Sequence, residues 1–249
     1  MTENPLFDEA LRTRCAAFDE NWARIRDAVA AAALRSGRCA ADITVLGATK
    51  TVPAPVIAHA LDCGLRDIGE NRVQELLDKY GTVRRPGVRI EMIGHLQTNK
   101  VRQIADKVDQ IQSVDSLRLA REIDRQCAQI RRPMDVLIEV NIGREAQKSG
   151  VLPEQLDELI DQVSQLPMLT VRGLMTVPPV CTRESDVHKY FSQMYRLFLD
   201  RRAKKTDNVY MDCLSMGMSH DFEAAIAEGA TMVRIGSALF GARDYGRTK

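Results

Sequence analysis

Ile43-Thr44-Val45-Leu46-Gly47-Ala48-Thr49-Lys50 is a short run, mostly apolar and β-branched, with a lysine at its end. Such a run reads as a buried strand, and the Pro53-Ala54-Pro55 that follows it opens a helix. A lysine that closes a core strand places a flexible amine where the strand gives way to a loop. Many such lysines do no more than snorkel to water. Burial or neighbouring cations lower the proton affinity of the amine, which then becomes a nucleophile able to form a Schiff base with a carbonyl.

Outward from this strand the same alternation repeats. Strands are predicted at Asp67–Glu70, Arg89–Ile93, Gln110–Val114, Asp135–Asn141, Leu169–Met175, Asn208–Leu214 and Met232–Ile235. Helices are predicted between them at Val56–Cys63, Arg72–Tyr80, Val101–Lys107, Leu117–Ile130, Pro153–Gln165, Glu184–Arg202 and Asp221–Glu228. Gly64, Gly81 and Gly229 stand where three of these helices stop. Gly236–Tyr245 has room for one more short helix. Evenly spaced strands, each followed by a helix and without a linker, point to a single (β/α)8 barrel over residues 1–249 rather than an open doubly wound sheet. An extra N-terminal helix, 7–36, precedes it. Its apolar residues Leu11, Cys15, Phe18, Trp22, Ile25, Val29 and Ala32 alternate four and three apart, the stripe of a helix packed on its own domain.

Composition narrows the function. A formal net charge of +1 over 249 residues with 45% hydrophobic content fits a globular protein and argues against a polyanion partner. The basic run Arg201-Arg202-Ala203-Lys204-Lys205 closes a helix, where cations suit the dipole, and reads as solvated surface. No apolar run is long enough for a membrane span, and Met1-Thr2-Glu3-Asn4-Pro5 is no signal peptide. Six scattered cysteines and four dispersed histidines show neither C-x-x-C nor a metal-ligand spacing, which suits free thiols in the cytoplasm. The expectation is a cytoplasmic monomer without nucleic-acid or membrane partners.

In a barrel the segments that follow the strands gather at one rim, and chemistry sits there. Lys50 reaches that rim together with Glu70-Asn71, Gly94-His95 and Asn141. The seventh strand leads into Ser215-Met216-Gly217-Met218-Ser219, and the eighth into Arg234-Ile235-Gly236-Ser237. Glycines let backbone N–H groups close on an anion, and loops seven and eight with a short helix are the usual phosphate position in this barrel. Asp221 and Glu223 disfavour a phosphate on the helix after strand seven, so it is expected nearer the Ser219 backbone and the Gly236-Ser237 turn. A Schiff-base lysine and a phosphate cup on one rim suggest a phosphorylated aldehyde, of which pyridoxal 5'-phosphate is the obvious one. Arg234 shares a strand face with Gly236 and could address a pyridine nitrogen. A permanent cation there opposes protonation of that nitrogen and weakens the ring as an electron sink.

Over nearly its whole length the sequence closely resembles the pyridoxal-phosphate homeostasis proteins, the YggS/PROSC family. The resemblance is carried by Ala48-Thr49-Lys50, Gly69-Glu70-Asn71-Arg72-Val73-Gln74-Glu75, Gly94-His95-Leu96-Gln97-Thr98-Asn99-Lys100 and Lys148-Ser149-Gly150. Arg172-Gly173-Leu174-Met175, Ser215–Ser219 and Val233–Ser237 complete it. Thr51 stands where many members carry lysine, and Thr98 where serine is common. The resemblance implies a barrel of the alanine-racemase N-terminal type with Lys50 as the internal aldimine. It also implies that Ser219, Gly236 and Ser237 hold the phosphate, that Arg234 faces the pyridine nitrogen, that Asn71 lies beside the cofactor and that Met218 is among the cofactor-binding residues.

Two functions fit such a site. One is a protein that holds pyridoxal phosphate and hands it over, with pyridoxal-phosphate-dependent apo-enzymes as partners and no turnover of its own. The other is an amino-acid racemase, which needs acid/base groups on both faces of the cofactor. Racemases of this barrel type add a C-terminal β-domain and take a tyrosine across a dimer. The sequence given stops at Lys249, just past the eighth strand, so the carrier is expected. A class I aldolase-like enzyme is more distant: a first-strand lysine and Arg234 both count against it.

Overall fold

In the computed structural model, which describes residues 5–241, eight parallel strands close into a barrel in chain order. They are β1 (Thr44–Ala48), β2 (Asp67–Glu70), β3 (Arg89–Met92), β4 (Gln110–Val114), β5 (Met134–Glu139), β6 (Leu169–Met175), β7 (Val209–Ser215) and β8 (Met232–Ile235). Closure is direct: β1 pairs with β2 through Leu46–Ala48 and with β8 through Thr44–Gly47, so the first strand has no free edge. That excludes the open sheet. The helices outside the barrel are α2 (Ala54–Asp62), α3 (Val73–Val83), α4 (Val101–Ile104), α5 (Leu117–Ile130), α6 (Leu156–Ser164), α7 (Glu184–Ala203) and α8 (Phe222–Ala227). A one-turn α9 (Ser237–Phe240) follows β8; the rest of the predicted terminal helix, beyond residue 241, lies outside the described residues.

Two glycines show why the strands sit so close. A Cβ on Gly173 would lie 1.7 Å from the Cys213 carbonyl oxygen, so β6 and β7 can approach only with hydrogen at that position. A Cβ on Gly94 would lie 2.2 Å from the Asn71 carbonyl oxygen, so the segments after β2 and β3 pack backbone to backbone.

The long α1 (Pro5–Arg35) lies on the barrel, against α2, α8 and α9. Phe18, Ile25, Val29 and Ala32 of the predicted stripe are buried, and Leu11, Cys15 and Trp22 pack against the same core. The Phe18 ring stacks on Phe240 at a centroid distance of 5.4 Å, which joins α1 to the last helix. No helix among the described residues is long and apolar enough to cross a membrane.

Several predicted boundaries move, each for a local reason. The first strand ends at Ala48 rather than Lys50: Thr51 is left-handed (φ 62°), which turns the chain out of the ladder. Gly81 does not stop α3, because burial of Val83 draws the helix one further turn. The fourth helix shrinks to Val101–Ile104 behind a 3₁₀ turn at Thr98–Lys100. Past Glu139, Val140 leaves the barrel ladder and bridges to Val151, so Asn141 lies in the loop.

Candidate functional site

The turn that carries Lys50 is built from below by a buried cluster of charge. Thr49 is buried, and its Oγ1 donates to Glu70 Oε1 at 2.6 Å. Lys79, from α3, donates through Nζ to the same Glu70 oxygen at 2.9 Å and to the Thr49 carbonyl at 2.8 Å. Thr51 N–H donates to Glu75 Oε2 at 2.8 Å, and Glu75 lies 3.5 Å from the Lys79 ammonium. Burial pushes the Glu70 carboxyl above its ordinary pKa, and the Lys79 charge opposes that rise. The residues on both sides of Lys50 are therefore tied to one carboxylate–ammonium cluster. Sequence reading missed Lys79; the only signal for it was the Glu75–Lys79 spacing of one helical turn.

Above this cluster, Lys50, Gly236 and Ser237 line one cleft together with Arg14, Ala48, Thr51 and Phe240. The space between them is narrow, about 30 Å³. Gly236 ends β8 and caps α9. A Cβ there would stand 3.6 Å from Ala48, in ordinary van der Waals contact. Ser219 joins from the loop after β7: its Oγ accepts from Gly236 N–H and Ala238 N–H, both at 3.2 Å. Two main-chain donors thus converge on a single oxygen at the start of α9, the arrangement an anion oxygen exploits.

Met218 follows a different course. It does not line the cleft, and its amide donates to Asp221 Oδ1 at 2.6 Å, so that carboxylate is spent on capping the loop. Glu223 is paired with Arg35 at 2.7 Å. The two acids expected to repel an anion are both engaged elsewhere. A larger cavity of about 740 Å³ reaches Ser219 and Ala238 from the side of Cys181–Arg183 and does not include Lys50.

Arg234 points into the barrel and is buried. Its Nη1 donates to Ser215 Oγ at 2.6 Å, and its Nη2 to the Thr176 carbonyl at 2.8 Å. Ser215 Oγ donates onward to Gln112 Oε1 at 2.7 Å, and Gln112 Nε2 donates to Glu91 Oε2 at 2.5 Å. One directed chain therefore runs from a buried guanidinium to a buried carboxylate, every donor facing an acceptor. Burial pulls Arg234 down to about 10, still a cation at neutral pH, with Glu139 opposing that shift. Glu139, at the end of β5, is pushed up to about 7 by burial and then by Asp115, while Arg234 restrains it. Glu91 is likewise pushed to about 7 by burial, against the hydrogen bond from Gln112.

Among the buried oxygens without a hydrogen-bond partner in the described residues are Asn71 Oδ1, Glu70 Oε2, Glu91 Oε1 and Glu139 Oε2. Buried polar atoms are rarely left so, and a polar ligand above the barrel supplies partners to those it reaches. An aldehyde-bearing, phosphorylated aromatic fits this donor set: an amine, converging main-chain N–H groups and a cation behind them.

The family model that describes the alanine racemase N-terminal domain matches residues 13–244. A protein of Aquifex aeolicus named pyridoxal phosphate homeostasis protein is 46% identical, over 91% of this chain and 98% of its own. The protein of the same name from Escherichia coli K12 is 44% identical, over 91% and 97%. Among solved structures, PipY of Synechococcus elongatus with PLP bound is similar at a TM-score of 0.74 and 32% identity, over 80% of this chain and 93% of PipY.

Proposed function

The chain belongs to the alanine racemase N-terminal domain family and, within it, to the pyridoxal phosphate homeostasis proteins, and from that premise we propose that it binds pyridoxal 5'-phosphate and serves as its carrier. The observation that carries this reading is the cleft in which the Lys50 side chain meets Gly236 and Ser237, with the Ser219 cradle at its edge. PipY, described with PLP bound, supports the choice of ligand. When bound, the group supplies an aldehyde carbon, and the Lys50 amine is the nucleophile placed to condense with it. The Gly236 and Ala238 N–H groups, gathered on Ser219 Oγ in this structure, would hold the phosphate together with the hydroxyls of Ser219 and Ser237. Asn71, whose buried Oδ1 has no hydrogen-bond partner among the described residues, would stand beside the ring.

Arg234 sets the limits of the chemistry. Anchored by Ser215 and Thr176, it stays a cation at neutral pH and, placed toward the pyridine nitrogen, would keep a proton off it. A ring left unprotonated is a poor electron sink, which suits storage better than racemisation. The name shared by the Aquifex and Escherichia relatives favours the same role. Borohydride treatment of the loaded protein, followed by peptide mapping, tests the site. The label is expected on the peptide containing Lys50; recovery on another lysine removes the assignment. Turnover of common amino acids in the ordinary enzyme range of about 1–10³ s⁻¹, abolished by Lys50→Ala, would overturn the carrier reading.

A further inference from the structure

On the outer side of the barrel α1 and α2 bring three side chains of different chemistry to one point. Asp19 Oδ1 lies 2.7 Å from His59 Nε2 and 3.2 Å from Cys63 Sγ, and Cys63 Sγ lies 3.5 Å from His59 Nε2. His59 and Cys63 are four residues apart at the end of α2 and so share a face, while Asp19 comes from the helix packed against it. Tetrahedral zinc with ordinary bond lengths separates its ligand atoms by about 3.3 Å for N and O and by about 3.6 Å when sulfur is one of the pair. The two sulfur separations are within a few tenths of an ångström of that; the His59–Asp19 pair has to open slightly.

We propose that Asp19, His59 and Cys63 form a binding site for a divalent cation of the zinc class, with water in the fourth position. Imidazole and thiolate select this class over calcium or magnesium, which take oxygen ligands. Charge balances: the carboxylate and the thiolate together neutralise the dication, and the thiol proton leaves to solvent. The surroundings orient the ligands. The Phe18 ring meets the His59 imidazole edge-on at 6.2 Å, and Trp22 Nε1 donates to the Cys63 carbonyl at 3.2 Å. The sequence shows no ligand spacing because its H-x-x-x-C pair is completed by a residue 40 positions earlier on another helix. The site would clip α1 to α2, and α1 carries Arg14 into the Lys50 cleft.

The test is a titration of metal-free, reduced full-length protein with cobalt(II), read by its thiolate-to-metal charge-transfer absorption, followed by displacement with zinc. One equivalent is expected to give the band and zinc to remove it. Cys63→Ser should lose the band, and His59→Ala and Asp19→Asn should weaken zinc by about a hundredfold or more, beyond what loss of an outer partner costs. Cys15→Ser, one turn before Asp19 on α1, should leave the titration unchanged. Zinc should also raise the Tm of the native chain and not that of Cys63→Ser. A band that survives Cys63→Ser, or that follows Cys15 instead, overturns the proposal, as does a native chain that gives no band.

Discussion

Replacing Lys79 by methionine keeps the aliphatic stem and removes only the ammonium beneath the Lys50 turn. The Lys79 side chain is 12% exposed and that of Glu70 3%, so this is a buried pair, and loss of one partner leaves a carboxylate with no countercharge. Breaking such pairs costs about 3–5 kcal/mol. Protonation of Glu70 limits the penalty. From an ordinary glutamate pKa of about 4.3, protonating it at pH 7 costs about 3.7 kcal/mol. At pH 5 the same step costs about 1 kcal/mol. In the variant the folded-state pKa of Glu70 lies above its unfolded value, so the folded state holds the extra proton and stability falls as pH rises between the two. Lys79→Met should therefore unfold about 6–15 °C below the native protein at pH 7, taking about 2–4 °C per kcal/mol for a chain of this size. The deficit should be much smaller at pH 5. Adding Glu70→Gln, which still accepts the Thr49 hydroxyl, should recover most of the loss and flatten its pH dependence. Thermal melts of the three proteins at pH 5 and pH 7 decide it. A Lys79→Met variant that melts with the native protein at pH 7, or whose deficit is the same at both pH values, refutes the reasoning.

Three other variants test the rest of the site. Lys50→Ala should retain pyridoxal phosphate at micromolar strength through two or three charge-assisted hydrogen bonds of about 1.5–3 kcal/mol each, without the absorbance of lysine-bound cofactor. Gly236→Asp should empty the protein although Lys50 remains; dialysis and measurement of retained cofactor compare the two, and the reverse pattern removes the phosphate argument. Glu139, raised to about 7 when folded, binds a proton that the unfolded chain releases near pH 4, so it subtracts stability as pH rises from about 4 through 7. Glu139→Gln should melt with a flatter dependence between pH 5 and 8; a slope equal to the native one contradicts the placement of that carboxyl.

The barrel was legible because period and punctuation agreed. Runs such as Gln110–Val114 and Leu169–Met175, separated by amphipathic helices, recur as observed, residue for residue. The misreadings arose where tertiary contacts outweigh local chemistry. Gly81 carries a stop signal that a buried Val83 overrides, and a turn from Thr49 to Val52, with Thr51 left-handed, takes Lys50 out of the strand that was expected to include it. Lys50, Gly236 and Ser237 were legible for the opposite reason: barrel topology puts the ends of β1 and β8 side by side, whatever the loops do.

Support for a site is harder to read than the site itself, because it depends on pairs distant in sequence whose members look ordinary alone. Glu91, Gln112 and Ser215 each read as a polar residue in a strand, yet across β3, β4 and β7 they form the hydrogen-bonded chain that begins at Arg234 Nη1, while the Thr176 carbonyl accepts from Nη2. Strand alternation says that each faces inward or outward, not that the inward layer is polar. Lys79 lies nine residues beyond Glu70, and its reach depends on how α3 leans back over the rim. A buried charge must have a partner, so Glu70, Glu91 and Arg234 imply unseen counterparts once their burial is known. Burial at these positions is the quantity that residue type alone, charged and therefore expected outside, leads one to read backwards.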